Sequence, residues 1–331
     1  FFFFFFLLLF TLSIISKSPS PKIHISVVFP SYGFAKLCAN SPREAPMNAS
    51  SSVLSHPLLN ELEHNPPPRA TTPLINARTI WISDIHLGYR DCKADYLLDF
   101  LSHIHCDTLY LVGDIVDLWS LKRRFCWPQK HYQVMLKFYE LAARGVRVIY
   151  VPGNHDEPIR HFCGQHFGPI EIQHEHEYTS ADGKHFLIMH GDAMDAYINH
   201  SWLARFCGDM GYDLLLFINR WSNRFRKWMG RPYFSLSSLI KSNIKGAKAA
   251  INTYQQECLA EAKRRGYDGV ICGHIHYPAL FEQDGLRYCN TGDWIENCSA
   301  LIEDYQGAMR ILHYTDHLRW QSETQTASAH A

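Results

Sequence analysis

Five short segments carry the residue types that could do chemistry: Asp84-Ile85-His86, Gly113-Asp114, Gly153-Asn154-His155-Asp156, His190-Gly191-Asp192 and Gly273-His274-Ile275-His276. Each sets an oxygen or nitrogen ligand beside a glycine or in a loop that follows an apolar, β-like run. Pooled, they offer the carboxylates of Asp84 and Asp114, the amide oxygen of Asn154 and the imidazoles of His86, His190, His274 and His276. That ligand count suits two adjacent divalent cations. Oxygen donors favour hard ions such as Mn²⁺ or Mg²⁺, and the imidazoles pull the preference toward Mn²⁺, Fe²⁺ or Zn²⁺. Mn²⁺ satisfies both tendencies. An aspartate such as Asp114 can bridge two ions about 3.5–4 Å apart, and water held between them is acidified into a nucleophile. The implied chemistry is metal-assisted cleavage of a phosphate ester or anhydride. Taken singly, a Gly-Asp or His-Gly-Asp marks an ordinary turn, and a lone strand histidine is a satisfied core residue. The information lies in all five occurring in this order.

The elements that must position these loops are legible as alternating strands and helices. Thr79–Ile82 reads as a strand running into Asp84, Lys93–Ile104 has helical spacing, and Thr108–Val112 is a second strand ending at Gly113-Asp114. Gln129–Ala143 reads as a helix stopped by Gly145, and Val146–Val151 as a third strand ending at Gly153. His185–Met189 leads into His190, and Gly269–Cys272 into Gly273. Ligands just past strand C-termini are where open α/β sheets place their sites. Between His190 and His274 the spacing predicts a helical insertion with helices over about Trp202–Cys207, Leu214–Met229 and Leu236–Arg265. Leu280–Phe281, Leu286–Cys289, Ser299–Ile302 and Met309–Tyr314 read as antiparallel strands completing a second sheet.

Composition bounds the rest. The 331 residues carry 32 Lys/Arg against 32 Asp/Glu, and zero net charge argues against bulk binding to nucleic acid. The balance is uneven, because residues 201–250 hold nine Lys/Arg and two Asp. Ten cysteines without a Cys-x-x-Cys pair read as free thiols in a reducing compartment, consistent with a cytoplasmic protein. Phe1–Ile15 is apolar yet shorter than the ~20 residues of a membrane span. Residues 1–76 are expected to be a disordered or spurious extension whose real start is near Met47, with a membrane anchor as the alternative. Residues 77–320 form the expected domain, with a lid insertion at about 193–265, and 321–331 form a disordered tail.

The order Asp-x-His, Gly-Asp, Gly-Asn-His-Asp, His-Gly-Asp, Gly-His-x-His resembles that of the calcineurin-like metallophosphoesterase superfamily, over about Thr79–Tyr314. The resemblance implies a four-layer αββα sandwich. It also implies that Asp84, His86 and His276 hold one metal, that Asn154, His190 and His274 hold the other, and that Asp114 bridges both. By the same resemblance His155 meets the scissile phosphate as charge stabiliser or proton donor, and Asp156 orients it.

Three further features resemble the branch that contains UDP-2,3-diacylglucosamine diphosphatase: Gly113–Trp119 followed by Arg123-Arg124, the insertion after His190, and Asn290–Cys298. The branch implies hydrolysis of a UDP-linked lipid to UMP and lipid X in lipid A biosynthesis, with the insertion receiving acyl chains. Two positions depart from its best-known members. His155 stands where they carry Arg, and Ala193-Met194-Asp195-Ala196-Tyr197 follows Asp192 where they carry an acidic pair, as in a longer sister group. Within the insertion, Phe217, Trp221, Phe225 and Trp228 form an apolar stripe beside Arg220, Arg224, Lys227 and Arg231. Such a helix suits an anionic membrane surface or the wall of an acyl pocket, and an ordinary lid helix with a solvated basic face is the plainer reading. Lys241, Lys245 and Lys248 could face a phosphate. Asp117, Trp119, Arg123 and Arg124 could contact the nucleotide, or form a solvated loop. Asp293 and Trp294 are expected to support the ligands from behind. A soluble phosphodiesterase or nucleotide phosphatase is the competing function, and the complete ligand set counts strongly against a third reading, a catalytically dead scaffold.

Overall fold

The computed structural model describes residues 75–197, 221–223, 226, 229 and 245–315. Among these, the strands are β1 (Ile75–Ile82), β2 (Ile104–Val112), β3 (Arg147–Val151), β4 (His166–Phe167), β5 (Ile170–Ile172), β6 (His176–Thr179), β7 (His185–Ile188), β8 (Gly269–Cys272), β9 (Ala279–Gln283), β10 (Leu286–Asn290), β11 (Ser299–Glu303) and β12 (Met309–His313). The helices are α1 (Ala94–Ser102), α2 (Leu118–Arg123), α3 (Gln129–Ala143) and α4 (Lys245–Arg264).

Two sheets form. One has the order β12-β11-β1-β2-β3-β5-β4 and the other β6-β7-β8-β10-β9. β1, β2, β3 and β5 run parallel in the first sheet, as do β7, β8 and β10 in the second. Strand alternation explains how they stack. Trp81, Tyr110, Val112, Ile149, Val151 and Leu301 of the first sheet share one buried cluster with Tyr178, Phe186, Ile188, Ile271 and Cys289 of the second. Trp81 lies parallel to Tyr110 with ring centroids 5.8 Å apart and meets Tyr178 of the facing sheet edge-on at 4.9 Å. The intervening residues, such as Ile80, Ile82, Leu109 and Leu111, are equally buried on the opposite face, where α1 packs on α3 and α3 on β3. α3 exists because His131, Val134, Met135, Phe138 and Leu141 recur at helical spacing on one buried side. On the far face of the second sheet, Leu187, Val270, Cys272 and Tyr288 pack under Tyr254, Cys258, Leu259 and Ala262 of α4. The result is the expected αββα sandwich.

Two expectations are corrected. β11 and β12 do not complete the second sheet; they extend the first, with β11 antiparallel to β1. β10 is antiparallel to β9 yet parallel to β8. The chain crosses between sheets through a buried loop at 291–298, in which Trp294 packs on Phe100 of α1 and its N–H donates to the Asp84 carbonyl at 3.1 Å. α4 begins at Lys245 among the described residues. The helix expected over Trp202–Cys207, and Trp228 and Lys241, lie outside the described residues. All eight described cysteines are free thiols. Among the described residues no helix is long and apolar enough to cross a membrane.

Candidate metal centre

The ligand loops leave strand C-termini from both sheets and meet at one end of the sandwich. β1 delivers Asp84 and His86, β2 Asp114 and β3 Asn154 and His155, while β7 delivers His190 and β8 His274 and His276. The backbone is strained where they meet. Asp84, His86, Asp114, His274 and His276 all adopt left-handed φ between 51° and 72°, and only Asp284 and Cys298 join them among described non-glycine residues. That region costs a side-chain-bearing residue roughly 1–2 kcal/mol, so the fold holds these groups in place against a local preference. Space is equally tight at two glycines. A Cβ on Gly153 would collide with Asp114 Oδ1, and one on Gly273 with Asp84 Oδ2.

Two triads with no residue in common share this volume, Asp84, His86 and His276, and Asp114, His190 and His274, and a third, His86, Asp114 and His155, overlaps both; in each the ligand atoms lie within 4.8 Å of one another. In the first, His276 Nε2 lies 3.2 Å from Asp84 Oδ1 and 3.3 Å from His86 Nε2. In the second, His190 Nε2 lies 3.3 Å from Asp114 Oδ2 and 3.2 Å from Asn154 Oδ1. Asp114 Oδ2 is also 3.8 Å from His86 Nε2, so it sits between the triads.

Most of the remaining polar atoms are committed to the protein, with the buried His276 Nδ1 an exception, which leaves the facing ones for a cation. Asp84 Oδ2 accepts from the Ser83 hydroxyl and from the His274 N–H, whereas the buried Asp84 Oδ1 has no hydrogen-bond partner. Asp114 Oδ1 accepts the His155 N–H at 2.8 Å. His190 Nδ1 donates to the Val112 carbonyl at 3.0 Å, and His86 Nδ1 to Asp117 Oδ2 at 3.2 Å, turning each Nε2 inward. His274 Nε2 donates to Asp195 Oδ2 at 2.8 Å, which leaves its Nδ1. An unpaired buried carboxylate oxygen beside convergent imidazole nitrogens fits a divalent ion.

Electrostatics agree. Burial opposes charge on His86, yet its hydrogen bond to Asp117 and the carboxylates of Asp114 and Asp84 raise its imidazole to about 9. Burial would raise the Asp114 carboxyl, but His190, His86 and His155 hold it well below the usual carboxylate range. Buried carboxylates crowded together make a pocket that favours positive charge.

His155 lies beside both triads, its ring edge-on to His86 at 4.6 Å. Trp119, 46% exposed, covers it at 4.2 Å. The residue that orients His155 is not Asp156. Asp156 is fully buried and accepts from the Ile115, Val116 and Gly153 N–H groups and the Tyr150 hydroxyl, tying the second loop to the third. The orienting carboxylate is Asp117, whose Oδ1 receives the His155 Nδ1–H at 3.1 Å while its Oδ2 holds His86. Asp117 also caps α2 through the Ser120 N–H at 2.7 Å. It is 3% exposed and therefore supports the ligands instead of meeting a nucleotide.

Arg123 and Arg124 lie exposed at the far end of α2. Trp221 is 63% exposed in a short helical stretch, and Lys248 is exposed on α4. Lys245 begins α4, and its side chain is outside the description. Asp293 caps the 295–297 turn, and Asn297 donates from Nδ2 to the His276 carbonyl at 3.1 Å. Asp195 was not anticipated as a partner of His274. Its only signal was its place five residues past His190, on the 3₁₀ turn Asp192–Tyr197.

The calcineurin-like phosphoesterase family model matches residues 77–278. The chain is 28% identical over 244 residues to UDP-2,3-diacylglucosamine hydrolase of Xanthomonas campestris pv. campestris (strain B100), covering 69% of this chain and 96% of that one. It is 24% identical over 255 residues to the hydrolase of the same name from Vibrio cholerae serotype O1 (strain ATCC 39315 / El Tor Inaba N16961), covering 69% and 95%. A solved archaeal phosphodiesterase aligns over 71% of this chain and 98% of its own, at 16% identity and a TM-score of 0.33. With its strand-end loops and paired His/Asp triads, the chain belongs to the calcineurin-like phosphoesterase family and is a metal-dependent hydrolase of phosphoester bonds.

Proposed function

We propose that this chain is a dinuclear pyrophosphatase that cleaves a UDP-linked lipid such as UDP-2,3-diacylglucosamine to UMP and lipid X. The observation that carries the two-ion reading is Asp114 Oδ2, set between two triads, with its other oxygen already accepting the His155 N–H. Asp84, His86 and His276 would hold one ion, Asn154, His190 and His274 the other, and Asp114 would be shared by both. The mixed oxygen and imidazole donors favour Mn²⁺. When bound, such ions would acidify a water and neutralise the phosphoryl oxygens. His155, held by Asp117 and covered by Trp119, turns its Nε2 edge to the phosphoryl group. The lipid half of the reading is supported by relatives of that name, aligned over nearly their whole length. Trp221, Trp228, Lys241, Lys245 and Lys248 are assigned to the acyl chains, the phosphates or an anionic membrane face on the cytoplasmic side.

The test is direct. Purified protein with Mn²⁺ should release UMP from UDP-2,3-diacylglucosamine, followed by chromatography. A preparation that cleaves bis(p-nitrophenyl) phosphate but leaves the lipid intact would refute the substrate and leave the two-ion chemistry standing.

A further inference from the structure

Asn154 and His190 come from different sheets, and apolar packing between sheets is non-directional, so it does not fix the distance between two ligands. One side chain supplies directional bonds there. Arg160 stands on the 3₁₀ turn Glu157–Phe162 that follows the third ligand loop, next to the buried Ile159. Its Nη2 donates to Asp192 Oδ1 at 2.7 Å, and its Nε and Nη2 reach the Pro152 carbonyl at 3.4 and 3.3 Å. Pro152 lies just past β3, and Asp192 opens the 3₁₀ turn that follows β7. A single guanidinium therefore joins a ligand loop of the first sheet to a ligand loop of the second.

The two bonded residues stand in the same relation to a ligand. In Pro152-Gly153-Asn154 and in His190-Gly191-Asp192, one glycine separates the residue held by Arg160 from the residue that faces the ion. Both positions require glycine, since Gly191 has a φ of 106° and a Cβ on Gly153 would lie 2.7 Å from His190 Cδ2. Glycine is also the residue least able to hold a direction by itself. Ligands must stay within about 0.5 Å of their working places, so each loop needs an anchor outside its own backbone. The ion pair suits that task. The Arg160 and Asp192 side chains are only 26% and 19% exposed, and partial burial protects the pair from screening. The planar guanidinium reaches two acceptors at once, where an ammonium is a point charge. With both loops held, Asn154 Oδ1 lies 3.2 Å from His190 Nε2.

We propose that Arg160 is a positioning residue for the second ion, anchored on Asp192 and holding Asn154 and His190 at the separation that ion needs. The inference rests on the two-ion reading above. Calorimetric titration of the metal-free full chain with Mn²⁺ tests it, with the melting temperature of the metal-free protein as the control on folding. In an Asp84→Asn background, which leaves the second site, Arg160→Gln should weaken Mn²⁺ about tenfold or more. In an Asn154→Ala background, which leaves the first site, the same change should stay within about twofold. Asp192→Asn should reproduce the loss and add nothing to Arg160→Gln, because both break one bridge. It is close to isosteric, so it carries the same comparison if the Arg160 variant does not fold. Arg160→Lys should recover only part of the affinity, because it keeps the charge and loses the fork. Equal losses in the two backgrounds, or a loss matched by a fall in the metal-free melting temperature, would make Arg160 a general brace and overturn the proposal. Wild-type protein that takes up two ions, with variants that bind Mn²⁺ as tightly, would overturn the positioning role alone. Wild-type protein that saturates at one ion would overturn the two-ion reading, and the role with it.

Discussion

The two halves of the metal centre are supported by different means. In the first, His86 is backed by the buried carboxylate of Asp117, which also holds His155 and caps α2. In the second, His190 is backed by the neutral Val112 carbonyl and His274 by Asp195, whose side chain is 43% exposed. A negative partner behind an imidazole raises its basicity and fixes its orientation, and solvent weakens that effect. The first half is therefore the more tightly organised, and it shares its supporting carboxylate, Asp117, with His155.

Asp114→Asn should have the largest effect, because it removes the charge both halves share. Bound metal should fall from two ions per chain to fewer than one, and turnover of bis(p-nitrophenyl) phosphate by about 10³-fold, the scale of losing one key charge-stabilising group. An active variant with full metal content would end the claim that the halves share a ligand. Asp117→Asn should come next, at about 10–100-fold in metal affinity or turnover. Metal analysis should show one ion lost from the Asp84/His86/His276 side and the other retained. Asp195→Ala should cost about tenfold or less in the affinity of the second ion, because its carboxylate is half in solvent. Equal losses in these two variants would erase the asymmetry.

The smallest effect is on stability. Burial lowers His131 from 6.5 to about 4, and its neutral Nδ1 accepts the Gly88 N–H at 2.9 Å, just beyond His86. The unfolded chain takes up a proton that the folded chain refuses. The stabilisation is thus complete above pH ~6.5 and is lost as pH falls toward ~4. Thermal melts should show the gap between wild type and His131→Gln narrowing on acidification over that window. A gap that stays constant with pH would remove His131 from the account of the first half.

Much of this architecture is legible in the sequence. Gln129–Ala143 is helical to the residue expected, because its apolar spacing and Gly145 stop are local signals. All the expected ligand loops end apolar strands, for the same reason. Sheet membership was not legible, since the partner of β11 is decided by the buried crossing at 291–298, more than 200 residues from β1. β4, β5 and β6 have two to four residues each, too short for period-two alternation to register. The exchange of roles between Asp117 and Asp156 has a similar origin. Adjacency in sequence suggested Asp156, but the loop turns that carboxylate inward to backbone amides, and a residue 38 positions upstream reaches the imidazole.

The ligands are divided between sheets, with Asp84, His86, Asp114 and Asn154 on one and His190, His274 and His276 on the other. Under the proposed two-ion assignment each ion would draw ligands from both sheets and act as a rivet through the sandwich, so separating the sheets would release it. Melting temperature should therefore track free Mn²⁺, with each tenfold rise above the dissociation constant adding about 1.4 kcal/mol per ion to the folded state. In a metal-poor environment the same residues would leave a strained and charged end on the fold, so ion supply would set how long the protein survives as well as how fast it works.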